Sequence, residues 1–181
     1  MKRYRGRALQ SGFTLIETIV SVSLFASAMT GIAGVYLSVQ RLNQVNTSMQ
    51  AIHQNGQFIL EDLTKIIRNG AVDYARYGAS VPQPSSPHLY LLDQNGVQVD
   101  VYQSGANLVI NKTGAGSTNY NGQEVTVLIF KAYIWPATNP FPGGTEQPTV
   151  TIFLNLQANV NGRDKSVIPF QTTVATRQYI E

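Results

Sequence analysis

Cysteine is absent from all 181 residues, which excludes a disulfide-stapled fold, a thiolate metal site and a cysteine nucleophile. Histidine is nearly as scarce: His53 and His88 are isolated in sequence, and no zinc-ligand spacing can be written around them. Charged residues make up only 13%, about half the share usual in a soluble globule. No phosphate-cradling loop occurs, and Gly114-Ala115-Gly116 lacks the following helix that a dinucleotide-binding turn needs. No Ser-His-Asp order points to nucleophilic catalysis. These absences predict a protein that is not an enzyme and uses no cofactor.

The formal net charge of +3 is unevenly placed. Lys2, Arg3, Arg5 and Arg7 lie within the first twelve residues, with no acid among them. Without those four, 9 Lys and Arg face 10 Asp and Glu, a net of −1. The basic pI therefore belongs to a leader and gives no reason to expect nucleic-acid binding. Tyr74, Tyr77 and the aromatics near Trp135 lack the basic patch that a single-stranded nucleic acid would require.

What the chain does have is grease. From Thr18 to Val39 runs TIVSVSLFASAMTGIAGVYLSV, 22 residues without a charge or a proline. As an α-helix it would rise roughly 33 Å, enough to cross about 30 Å of hydrocarbon. A cationic leader stays on the cytoplasmic side, so the chain after Arg41 is expected outside a single-pass cytoplasmic membrane span. Two processing routes fit. Ala26-Ser27-Ala28 matches the preference of ordinary signal peptidase and would release a soluble protein beginning at Met29. A cut between Gly12 and Phe13 would instead discard only the charged leader and keep the span.

Glu17 is the anomaly. An ionisable group costs roughly 2.5–3.5 kcal/mol at the centre of a membrane helix and less near its ends. Thr14-x-x-Glu17 is one explanation, a capping box serving the free N–H groups of a helix start. A negative charge there also suits the helix dipole.

Basic leader, Gly12, Phe13, Thr14, Leu15, Ile16, Glu17 and then an apolar run together resemble the signal of type IV prepilins and pseudopilins. The resemblance covers about 30 residues. It implies cleavage after Gly12 by a prepilin peptidase, N-methylation of Phe13 and an assembly role for Glu17, which would attract the N-terminal amine of a neighbouring subunit. It also implies other pilin or pseudopilin subunits and an inner-membrane assembly platform as partners, in a filament at the periplasm or cell surface. The absence of a cysteine-bridged loop, together with Glu61-Asp62-Leu63, Arg68 and the ending Thr172-Thr173-Val174-Ala175-Thr176-Arg177, is similar to the minor subunits of that family. The alternative is a membrane-anchored binding module that keeps its span and never polymerises, with Glu17 as a cap only.

Small residues recur within the span. Ser23, Ser27 and Gly31 repeat every four residues, as do Ala26, Thr30, Gly34 and Ser38, a spacing that lets helices approach closely in lipid. Gly31 and Gly34 could also loosen the helix. Beyond it, Leu42, Val45, Met49, Ile52, Gly56, Ile59, Leu63 and Ile66 form an amphipathic stripe. Asn69-Gly70 reads as the helix end, with the glycine in a left-handed cap.

The expected organisation is leader 1–12, membrane helix 13–40, amphipathic continuation 41–70 and a β-rich exported head 71–181. In the head, HLYLLDQNGVQVDVY reads as a hairpin about Asn95-Gly96. NLVINK, EVTVLIFKAYIW, TVTIFLNLQANV and about 166–179 read as further strands, with TGAGSTNYNG as a loop and Asn161-Gly162 as a turn. The fold class is α+β, one long helix packed on an antiparallel sheet of about five or six strands. Asp93, Asn95 and Asp100 could supply oxygen ligands to calcium, although Asp-x-Asn-Gly also belongs to hairpin chemistry.

Overall fold

A computed structural model describes residues 12–85, 87–141, 143–144, 146–159 and 166–177. The leader cations, the Asn161-Gly162 turn and the last residues of the final strand lie outside the described residues. The chain divides into two compact units, Met1–Gln44 and Val45–Glu181. Helix α1, Leu15–Asn69, contributes its first part to one unit and the remainder to the other.

In the first unit every residue from Gly12 to Gln44 is exposed. This stretch of α1 is long and apolar enough to cross a membrane. Its serine hydroxyls are satisfied internally. Ser21, Ser23, Ser27, Thr30 and Ser38 each donate to the carbonyl one turn back, at 2.7–2.9 Å. A serine bonded in this way presents no unmet donor to hydrocarbon.

In the second unit α1 buries Ser48, Ile52, Gly56, Ile59, Leu63 and Ile67. Ile52, Gly56, Ile59 and Leu63 of the expected stripe are among them, but its other four members are not. Leu42 and Met49 are exposed, while Val45 and Ile66 are half-buried. The expected stripe alternated threes and fours, a period of 3.5, whereas a straight helix turns every 3.6 residues. The seam therefore drifts around the helix and comes out at Ser48 on one side and Ile67 on the other.

The α+β class holds, with eight strands in two antiparallel sheets among the described residues. Strands β1 (Ala71–Val72), β2 (His88–Leu92), β3 (Gln98–Ser104), β4 (Asn107–Lys112) and β5 (Gly116–Asn119) form a five-stranded meander. Strands β6 (Val125–Trp135), β7 (Thr149–Ala158) and β8 (Val167–Ala175) form the second sheet. The stretch expected to be a loop, TGAGSTNYNG, contains β5, because Gly114 and Gly116 at φ 88° and 86° turn the chain back onto β4. Alternation places Leu89 and Leu91, Val99 and Val101, and Leu108 and Ile110 in the core from the first sheet. A bulge between Val127 and Ile129 shifts the phase of β6, so Phe130, Ala132 and Ile134 point inward and Ile129 does not. These side chains and those of β7 close over Ile52, Ile59, Leu63 and Ile67 of the helix.

Two glycines let elements approach. A Cβ on Gly56 would lie 2.4 Å from the Phe170 ring, which fills that notch in α1. Gly70 departs from expectation: it is not in the left-handed region, and a Cβ there would lie 2.0 Å from the Leu92 carbonyl oxygen. It is glycine because β2 crosses it at close range.

Candidate functional site

Gly12, Phe13 and Thr14 precede the helix without regular structure, and Phe13 is 81% exposed. A Cβ on Gly12 would meet nothing within 4 Å among the described residues. Thr14 stands at the cap position just before the helix. Its Oγ1 accepts from Glu17 N–H at 3.3 Å, and its carbonyl accepts from Thr18 N–H at 3.2 Å. The threonine hydroxyl thereby meets one of the free N–H groups of the first turn.

The Glu17 carboxylate, by contrast, makes no hydrogen bond or ion pair with the described residues. Its neighbours Phe13, Leu15, Ile16, Ile19 and Val20 are all exposed and apolar. Among the described residues Glu17 is therefore an unpaired acceptor in an apolar collar. On a helix advancing about 100° per residue, Ser23, Ser27, Gly31 and Gly34 fall on one side. Neither Gly31 nor Gly34 has an atom within 4 Å of a built Cβ. Next to them Ala28, Gly31, Ile32, Val35, Tyr36 and Val39 line a shallow apolar groove.

The calcium candidates are differently engaged. Asp93 Oδ1 accepts from Asn95 N–H at 2.8 Å and Val97 N–H at 3.0 Å, which makes it the hinge of the β2–β3 turn. Asp100 lies on β3, opposite Tyr90, and its Oδ1 is 2.9 Å from His88 Nδ1. A carboxylate only accepts, so the ring nitrogen donates. Among the described residues no group of three or more His, Asp and Glu side chains could hold a metal ion.

Sequence reasoning missed the side chains gathered around Tyr90. The His88 ring stacks on Tyr90 at 5.4 Å and lies 4.9 Å from Tyr102, and Tyr77 is 5.0 Å from Tyr90. The Arg76 guanidinium carbon is 3.9 Å from the Tyr90 ring centroid. The hairpin signal at Asn95-Gly96 held the information in part, since its register brings residues 88 and 90 opposite 102 and 100. The short 3₁₀ helix Tyr74–Tyr77, which delivers Arg76 and Tyr77, had no such signal. Burial raises the Tyr74 phenol to about 12, with a smaller push from Tyr77, and its hydroxyl donates to the Pro136 carbonyl at 2.9 Å. The Tyr77 phenol is also raised, chiefly by burial.

Residues 7–33 match the model of the prokaryotic N-terminal methylation motif. The matched stretch contains Gly12, Phe13, Glu17, Ser23, Ser27 and Gly31, and it is a signal of the type IV pilin and pseudopilin kind. Such a signal implies processing by a prepilin peptidase and assembly among pilin-like subunits in general. No curated protein and no solved structure matches the chain.

Proposed function

We propose that this chain is a structural subunit, of the minor kind, in a type IV pilus, competence pilus or type II secretion pseudopilus. A prepilin peptidase cuts after Gly12 and methylates the new amine of Phe13. The processed chain stays in the inner membrane through α1 with its head outside, until an assembly platform passes it into the filament. The observation that carries this reading is the Glu17 carboxylate, unpaired among the described residues, within a methylation motif and on an exposed apolar helix surface. A carboxylate taken into hydrocarbon alone is costly, and the Phe13 amine of the next subunit offsets that cost while fixing axial register. Ser23, Ser27, Gly31 and Gly34 then form the close-packing side of the helix.

The test is the N-terminus and intact mass of the protein recovered from its own membrane or filament fraction. Phe13 with one added methyl is expected. A start at Met29 would sink the proposal, and an uncut chain would favour an anchored module that does not polymerise. Glu17→Ala should leave processing intact and remove the protein from filaments. Full incorporation of that variant would reduce Glu17 to a helix-start residue.

A further inference from the structure

We propose that the face of the five-stranded sheet around Tyr90 is a seat for a cationic group, guanidinium or alkylammonium, and that Arg76 occupies this seat from within the chain. Tyr90 stands between two acids. Asp100 is opposite it in the β2–β3 register. Asp73 follows β1 on the other side, with its N–H donating to the Tyr90 carbonyl at 3.1 Å. Rings of Tyr77 and His88 border Tyr90, and Tyr102 continues the row beyond His88. Aromatic faces and carboxylates both attract positive charge and together repel anions.

Two details show that Arg76 fills the seat incompletely. Its guanidinium lies over the ring, yet it forms no ion pair with either acid: the ion pairs among the described residues are Lys65–Glu61 and His88–Asp100. Asp73 is only 6% exposed, and its Oδ2 is buried with no hydrogen-bond partner. A buried carboxylate oxygen without a partner is rare, because nothing replaces the water it has lost. Arg76 itself is exposed, on the short 3₁₀ helix, and is held there by a ring contact. A lysine or arginine side chain of a partner, or a free polyamine, could displace it and stack on Tyr90, drawn by the charges of Asp73 and Asp100 on the flanking strands. Asp100 is committed to His88 and would act through its charge.

The experiment uses the full chain in detergent micelles, titrated by calorimetry with N-acetyl-arginine amide and, separately, with spermidine. Arg76→Ala removes the internal competitor and should tighten binding of the arginine amide about two- to fivefold, the worth of one exposed cation–π contact. Asp73→Asn in the Arg76→Ala background should lose that gain and most of the binding. If that double variant fails to reach the native far-ultraviolet dichroism, Asp100→Asn in the same background is expected to weaken binding in its place. Binding of the arginine amide assigns the seat to a protein side chain, and binding of spermidine alone assigns it to a polyamine. No binding of either probe by the Arg76→Ala chain, or binding indifferent to loss of the carboxylate, overturns the proposal.

Discussion

Gly70 and Gly56 are both glycine for want of room, but the atoms they face differ, and so should the result of adding a methyl group. At Gly70 the obstacle is the backbone oxygen of Leu92 at 2.0 Å, with the Ile66 carbonyl at 2.8 Å behind it. Backbone cannot step aside without moving β2, so Gly70→Ala should cost about 1–3 kcal/mol or more. At Gly56 the obstacle is the Phe170 ring edge at 2.4 Å, which can tilt, and alanine gains up to about 1 kcal/mol of helix propensity over glycine. Gly56→Ala should therefore be the milder change, and thermal melts of the two variants would reveal an inverted order at once. Titration is the other effect at this scale. The Tyr74 phenol ionises at about 12 in the folded chain, because burial disfavours the phenolate, against about 10 when unfolded. Its contribution is thus present below pH 10 and is lost as the pH rises through 12, where the unfolded chain gives up the proton more readily. Tyr74→Phe should flatten the fall in melting temperature between pH 10 and 12, and an unchanged slope would assign that fall to other groups.

The two sheets meet without a continuous ladder along the free edge of β6, and two glutamines take the place of strand partners. Gln103 Oε1 accepts from Phe130 N–H at 3.1 Å, while its Nε2 donates to the Val127 carbonyl at 3.0 Å. Gln83 closes a pair on one residue: its Nε2 donates to the Ile134 carbonyl at 2.6 Å, and its Oε1 accepts from Ile134 N–H at 3.1 Å. Ser85 N–H donates to the Ala132 carbonyl between them, at 2.7 Å. An unmet backbone group at a buried edge costs about 1–3 kcal/mol. Gln103→Ala should accordingly destabilise the head by that order and speed hydrogen exchange at Phe130. Gln83→Ala should speed it at Ile134 and leave Phe130 slow. Gln103→Glu is the sharper control, since a carboxylate can still accept from Phe130 and cannot donate to Val127. If Gln103→Ala leaves Phe130 exchange unchanged, the amide is not what holds this edge.

Across the whole molecule, what could be read from sequence was whatever depends on neighbours along the chain. The leader, the Gly12-Phe13 junction, the membrane-length run, the Asn95-Gly96 hairpin and the long strands β6 and β7 all carry local signals, and all but the leader lie where the structure can be compared with them. The division into two sheets does not, because the free edge of β6 is met by glutamines distant in sequence from the strand they serve. Gly70 was misread for a related reason: a glycine that needs positive φ and a glycine that needs room are the same letter. Charge is the whole-molecule property from which the proposed processing can be tested most simply. The uncut chain has a formal charge of +3 and a pI of about 9.2. Cleavage after Gly12 removes Lys2, Arg3, Arg5 and Arg7 and leaves 9 basic against 10 acidic residues, or −1. Cleavage after Ala28 would also remove Glu17, leaving 9 against 9, or zero. Methylation of the Phe13 amine keeps its charge, so it adds mass without moving the band. Isoelectric focusing of the native protein should therefore show a fall from the basic to the acidic range, together with a mass that begins at Phe13. A basic band in the filament fraction would mean that the leader survives, and the role given to the Phe13 amine beside Glu17 would have to be abandoned.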